Sequence, residues 1–515
     1  MTFDTAPSFT IQDKILTASA VFIIFVFDRS TAQSTLKALP TQSIGTIKKG
    51  LTMQLFQRPF LKIINEKLID RVIEEALHVL QKVGIRVELP KAVELLHDAG
   101  CISKENGRII IPVKVIEKCI ESAPKSIILY DRNGNPALNL EGDAIHFNPG
   151  SSALKIFHWQ TKRYDKPVTG DLVRLAQLTQ FLSHIPAQST ALVPADVPDE
   201  IADRYRLFVA LLYSTKPVIT GAFSTDGFAA MKEMLRVFRN SEQELAQKPL
   251  AIFDCCPTSP LKWSALTCRN VLECARSGIP AEIVPMPMMG ATAPGTLAGA
   301  LVQLTAENLS GIVLSQLAKN GAPVIWGGSP TAFDQRFGST PMGAMESMMI
   351  NMANAAVGKK LGLSTHAYMG LSDSRFIDAQ SGLEAGIGAL MAALRGVNVI
   401  SGPGMLDFQT AFSLEKLAID NEICGMALRL IQGFEIRKGA FTEDIYGDID
   451  DGENFLSSES TLQWMREEFH YPADIISRTS GESDSDATIG DRAYHRIKNI
   501  IENKIPPECT ADHKN

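Results

Sequence analysis

Cysteine is scarce in this chain: eight thiols in 515 residues, at 101, 119, 255, 256, 268, 274, 424 and 509, with no Cys-x-x-Cys spacing. That is too dilute for a disulfide framework and reads as ordinary buried thiols in a reducing compartment. Histidine is as sparse, nine residues with neither a His-x-x-x-His nor a His-Glu-x-x-His spacing, so no protein-bound metal is expected. Positive charge is not in excess either. Lys and Arg number 50 against 57 Asp and Glu, net −7, with no dense basic stretch, and nothing draws the chain to nucleic acid. No Gly-x-Gly-x-x-Gly follows the first strand-like run, which removes the best-known dinucleotide fold. The apolar run Ile15–Phe27 falls short of the ~20 residues of a membrane span, and no span is expected.

What is present is globular. A chain 45% hydrophobic and 21% charged is neither disordered nor collagen-like. Residues 1–52 read as an extension outside the fold. Their apolar run follows Asp4, Asp13 and a single Lys14 rather than a basic start, and an amphipathic helix begins only after Met53. Over 53–140, helical periodicity at Leu68, Val72, Ile73, Ala76, Leu77 and Leu80 ends at Gly84. Short strand-like runs and two further helices (Pro90–Ala99, Pro112–Ser122) follow, and the segment is expected to be a structural α+β cap.

From 141 to 475 the pattern repeats. Eight apolar, β-rich runs (Ile145–Asn148, Ser189–Val193, Pro217–Phe223, Leu250–Cys256, Ala281–Pro285, Pro323–Gly327, Thr365–Gly370, Val397–Gly402) alternate with helical stretches. The alternation predicts an α/β fold, a TIM (β/α)8 barrel, with a doubly wound open sheet as the alternative. Beyond it, 476–515 is expected to be a polar linker and a packing helix, a C-terminal helical extension.

In such a barrel the chemistry sits at the C-terminal ends of the strands. Here those ends are rich in Gly and small residues, carry the aromatics Phe223, Trp326 and Tyr368, and hold no lysine. The missing lysine and the missing metal spacing disfavour a Schiff-base or metal-dependent lyase, whereas rings with a carboxylate suit an ammonium ion through cation–π contact. Barrel packing is the competing role for Trp326. The loop Leu371–Glu384 gathers Asp373, Asp378, Glu384, Arg375 and Gln380, of which Asp378 is placed as a helix N-cap.

Three segments, APVIWGGSPTAFDQR, HAYMGLSDSRFIDAQSGLEA and SGPGMLDFQTAFSLEKLAIDNEICGM, together with NPGSSALKIFHWQTKRYDKPVTGDLVRLAQL, resemble the trimethylamine methyltransferase family from about Met53 past Trp464. The resemblance implies a barrel that moves a methyl group from a small methylated amine to the Co(I) of a cognate corrinoid protein, so the corrinoid (cobalamin) arrives on a partner. Archaeal members of the family carry pyrrolysine. This chain has ordinary residues throughout and so resembles the non-pyrrolysine branch, whose members demethylate quaternary amines such as glycine betaine. On that resemblance Phe223, Trp326 and Tyr368 are the expected walls around the cation, His366 and Asp373 the expected catalytic, orienting pair, and Arg336 or Arg375 the site for a substrate carboxylate. Gln380 and Glu384 would support them from behind, and an ion pair with Asp373 or Asp378 is the rival role for Arg375. A trimethylamine enzyme of the same family and a barrel that binds ammonium without turnover are the alternatives. A cytoplasmic location follows from the reducing conditions Co(I) needs, and the helical exterior leaves room for a homo-oligomer.

Overall fold

Each of the eight apolar runs contains or overlaps a strand, and each strand is followed by a helix. The strands are β1 His146–Asn148, β2 Gln188–Ser189, β3 Val218–Thr220, β4 Ala251–Cys255, β5 Ala281–Ile283, β6 Val324–Trp326, β7 His366–Tyr368 and β8 Val399–Ser401. The helices that follow them in turn are α1 Thr169–Phe181, α2 Asp199–Tyr213, α3 Gly227–Arg236, α4 Ala265–Ser277, α5 Leu297–Ala318, α6 Met345–Lys360, α7 Ala379–Arg395 and α8 Leu414–Gln432. This is a computed structural model that describes residues 58–435, 437, 455–479 and 487–509. The extension 1–52 and part of the polar linker lie outside the described residues.

The α/β class is borne out. The strands stand as two parallel sheets, β6-β5-β4-β3-β2 and β7-β8-β1. Single parallel bridges, Trp326 with Thr365 and Ala153 with Leu192, link the two. One apolar cluster joins both sheets: Ile219 of β3, Ile252 of β4, Ile325 of β6 and Val399 of β8 meet Ile127, Leu129, Leu138 and Leu140. The last four come from an antiparallel hairpin, Ile128–Tyr130 with Pro136–Asn139, which packs its apolar face against the inner faces of the strands.

The opposite faces of the strands pack on helices, close enough to require glycine. A Cβ on Gly311 of α5 would lie 2.8 Å from Ile283 Cγ2, and one on Gly358 of α6 would lie 2.7 Å from Trp326 Cδ1. Helix α5 is the one described helix long and apolar enough to cross a membrane, but 72% of that stretch is buried within the protein. Its cover is the cap: Glu66–Lys82, Pro90–Asp98 and Val113–Ser122 all pack on it. The cap also adds a short parallel pairing, Arg86–Val87 with Lys262–Trp263.

A four-stranded sheet was not foreseen in the sequence. Lys155–His158 and Arg163–Asp165 form a hairpin, and Met405–Leu406 with Ala411–Phe412 extends it from the chain after β8. Helix Ile489–Asn503, expected as a packing helix, lies against α8 and α1.

Candidate active site

Side chains alternate along a strand, so two residues beyond each contact with the hairpin the chain points inward again. On β4 that step runs from Ile252 to Asp254, and on β8 from Val399 to Ser401. Strand register sets Glu282 of β5 beside Asp254. On β7, His366 and Tyr368 share a face, with ring centroids 5.0 Å apart at 87°. The interior thus changes from apolar to polar toward the C-terminal ends of the strands.

There a cavity of ≈410 Å³ opens, lined from the ends of β1 to β7 or the loops just beyond them and, after β8, by Gln409 of the loop between Met405–Leu406 and Ala411–Phe412. Ser151 and Ser152 come from beyond β1, Thr190 from beyond β2, Gly221 and Phe223 from beyond β3, and Asp254 and Cys256 from β4 and its end. Met286, Ser329, Tyr368 and Gln409 supply the rest of the circuit. Phe223 is 60% exposed. Asp203 of α2 fixes its loop, accepting from the Phe223 amide at 2.9 Å and from the Ser224 amide and hydroxyl at 3.1 and 2.9 Å. The Tyr368 hydroxyl lies 2.6 Å from Ser151 Oγ.

The electrostatics centre on Asp254. Arg206 of α2 is buried, donates to Ser152 Oγ and to the Thr190 carbonyl, and sits 5.7 Å from the Phe223 ring. Burial lowers its pKa to about 10, with Asp203 and Asp254 opposing, so it remains a cation. Burial lifts Asp254 to about 6, against the pull of Glu282, Tyr368 and Arg206. Glu282 is wholly buried, and burial followed by the Asp254 charge drives its carboxyl well above the usual range. His366 is buried too, which presses its imidazole down to about 3 and keeps it neutral. Its Nε2 is 3.0 Å from Ser401 Oγ and its Nδ1 is 3.7 Å from Glu282 Oε2. Gly327 makes this approach possible, since a Cβ there would meet both His366 Nδ1 and Glu282 Cγ. Asp254 Oδ1, both Glu282 carboxyl oxygens, Ser329 Oγ and His366 Nδ1 are buried without hydrogen-bond partners.

Of the residues expected from sequence, Phe223 and Tyr368 line the cavity, and His366 stands behind Tyr368. Trp326 does not reach it. Alternation turns its ring outward against α6, where Nε1 donates to Asn354 Oδ1 at 2.8 Å, so packing is its role. Asp373 is spent on structure, accepting from the Met342 and Gly343 amides at 3.0 and 2.7 Å, with burial raising it to about 6. Glu384 accepts from Ser372 Oγ, the Asp373 amide and Gln380 Nε2, which clamps the same loop away from the cavity. Arg336 is exposed and paired with Asp334. Arg375 is exposed and lies 4.0 Å from Asp407, not Asp373 or Asp378. Neither arginine lines the cavity. Asp378 caps α7 as expected, accepting from the Ser381 amide at 2.9 Å.

Asp254, Glu282 and Arg206 went unselected. The signal was present for two of them, as carboxylates standing alone in the apolar runs Leu250–Cys256 and Ala281–Pro285. Among the described residues no group of three or more His, Cys, Asp or Glu is arranged to hold a metal ion.

The sequence profile of the family described as Trimethylamine methyltransferase (MTTB) matches residues 37–515. A protein named Trimethylamine methyltransferase MttB from Desulfitobacterium hafniense is 30% identical over 84% of this chain and 87% of its own length. The Glycine betaine methyltransferase of the same species is 27% identical over 87% of this chain and 94% of its own. A solved structure, the monomethylamine methyltransferase of Methanosarcina barkeri, aligns with a TM-score of 0.45 and 10% identity over 86% of this chain and 89% of that one.

Proposed function

The chain belongs to the trimethylamine methyltransferase family, and from that premise we propose that it moves a methyl group from a quaternary amine to the low-valent cobalt of a separate corrinoid protein. The observation that carries the reading is the cavity, whose lining includes the rings of Phe223 and Tyr368 and a single carboxylate, Asp254. Rings and one anion suit a methylated ammonium, each ring contact contributing roughly 0.5–2 kcal/mol. We take the two parallel sheets as arcs of one (β/α)8 barrel, because parallel bridges link them at both edges and strands of both sheets share one inner cluster.

The corrinoid, as co-substrate, supplies the nucleophile. The protein's part is positioning: holding the N–CH3 bond toward the mouth, excluding water, and facing the positive nitrogen with Asp254. A quaternary nitrogen is already a good leaving group, so no acid is needed before transfer. The loops beyond the strands expose Leu154, Phe223, Met286, Phe376 and Phe408, an apolar rim suited to a planar macrocycle on a docking protein. Cobalt in its reduced state places the reaction in the cytoplasm.

The test is anaerobic methyl transfer to cob(I)alamin, followed by absorbance, with glycine betaine, proline betaine, carnitine, choline and trimethylamine. Turnover of one quaternary compound with none of trimethylamine is the expected result. Turnover of trimethylamine alone would establish the second reading, which the MttB relatives favour. Silence with all five, under conditions where a known relative is active, would overturn both.

A further inference from the structure

Glu282 has no role in holding a cation at the mouth, yet it is a carboxyl group set wholly inside the protein. Strand pairing places it at the register position of Asp254. Three of the pair's four oxygens, Asp254 Oδ1 and both of Glu282, are buried and accept no hydrogen bond. Two neighbouring buried carboxyls do not both ionise, so the pair holds one proton between them.

The surroundings keep that count. From α2, Arg206 supplies one positive charge opposite Asp254. From β7, His366 faces Glu282 as a neutral ring, and Tyr368 faces Asp254 as a phenol that burial holds protonated. On β4 itself, Cys255 is tied to Cys274, which with burial raises its thiol well above the usual range, and just beyond it Cys256 lines the cavity as a thiol that desolvation and the Asp254 charge keep protonated. One side of the pair opens on the cavity through Asp254, and Glu282 does not reach it.

We propose that the Asp254–Glu282 pair stores a single proton and delivers it to the amine nitrogen that methyl transfer leaves behind. The inference rests on the methyl-transfer reading and extends it past the transfer step. When the methyl group departs as a cation equivalent to the cobalt nucleophile, the C–N bonding electrons stay on nitrogen as a lone pair. A carboxyl O–H bond of the pair then breaks and an N–H bond forms, giving a tertiary ammonium beside two carboxylates and Arg206. The product leaves with its proton, and solvent returns one proton to the pair through the cavity mouth. Asp254 touches the nitrogen and is the catalytic residue. Glu282 acts through it and is a positioning residue.

The proton count gives a test independent of turnover. Formed from solution, the same product complex must release one proton, because a tertiary ammonium brings its own. Titration calorimetry of the full-length protein in buffers of differing ionisation enthalpy, with trimethylammonium and tetramethylammonium as ligands, reads this directly. Release of about one proton with trimethylammonium and none with tetramethylammonium near neutral pH is expected. Glu282→Gln should abolish the release while keeping tetramethylammonium affinity within about threefold, whereas Asp254→Asn should weaken that affinity at least about tenfold. Equal proton release for both ligands, or release unchanged in Glu282→Gln, overturns the proposal and leaves the methyl-transfer reading standing. Failure of the wild-type protein to bind either ammonium overturns both. The wild-type comparison decides the matter even where a variant does not fold.

Discussion

At the scale of single residues, what separates a site from a packed interior is which way a side chain points. Phe223 and Trp326 both lie near the C-terminal ends of apolar runs in the sequence, but one faces the cavity and the other α6. Phe223→Ala should therefore cost about 0.5–2 kcal/mol of tetramethylammonium binding, read by titration, with little change in melting temperature. Trp326→Phe should do the reverse, lowering the melting temperature while leaving affinity unchanged. Asp254 adds a pH signature. Its folded value of about 6 lies above the ordinary 3.8, so the folded protein takes up this proton first as pH falls. The burial cost of its charge is thus complete above about pH 6 and absent below about pH 4. Asp254→Asn should melt higher than wild type at about pH 7.5 and lose that advantage toward pH 4, while ammonium binding by the wild type falls away as pH drops through about 6. The rings were legible because aromatics beside glycines stand out in a sequence. Glu282 was not, because nothing local tells an inward carboxyl from a solvated one until strand register pairs it with Asp254.

At the scale of elements, the sequence was read well where periodicity governs. Helix α7 begins where foreseen, at the Asp378 cap, and Gly396, whose φ is 76°, closes it. The sheet of Lys155–His158, Arg163–Asp165, Met405–Leu406 and Ala411–Phe412 was invisible because its strands are two to four residues long and pair across some 250 residues of chain. Helix α8 supports the turn beyond β8 through a buried pair. Lys416 Nζ sits 2.6 Å from Asp420, which also accepts from the Gly404 amide at 2.7 Å. Asp420→Ala strands a buried cation and frees that turn, at an expected cost of about 3–5 kcal/mol in chemical denaturation. The double variant Lys416→Met with Asp420→Leu should recover most of this.

At the scale of the whole molecule, the alternation of eight strands and helices was the strongest message in the sequence, whereas the dependence of α5 on the cap was not in it. Helix α5 is buried on all sides, between strands and cap, so its composition shows no stripe to say what covers it. A chain that starts at residue 141 should consequently not give a folded core. Loss of a cooperative thermal transition, together with association in sedimentation, is the expected outcome. The same dependence has a consequence during synthesis. The apolar stripe of Glu66–Lys82 leaves the ribosome early, but its partner α5 ends only at Ala318. At about 5–20 residues per second the stripe waits on the order of ten seconds or more, bare to whatever is nearby. Holding of the nascent chain by a chaperone is the expected consequence, to be read as association of a chaperone with ribosome-bound chains that stop short of Ala318.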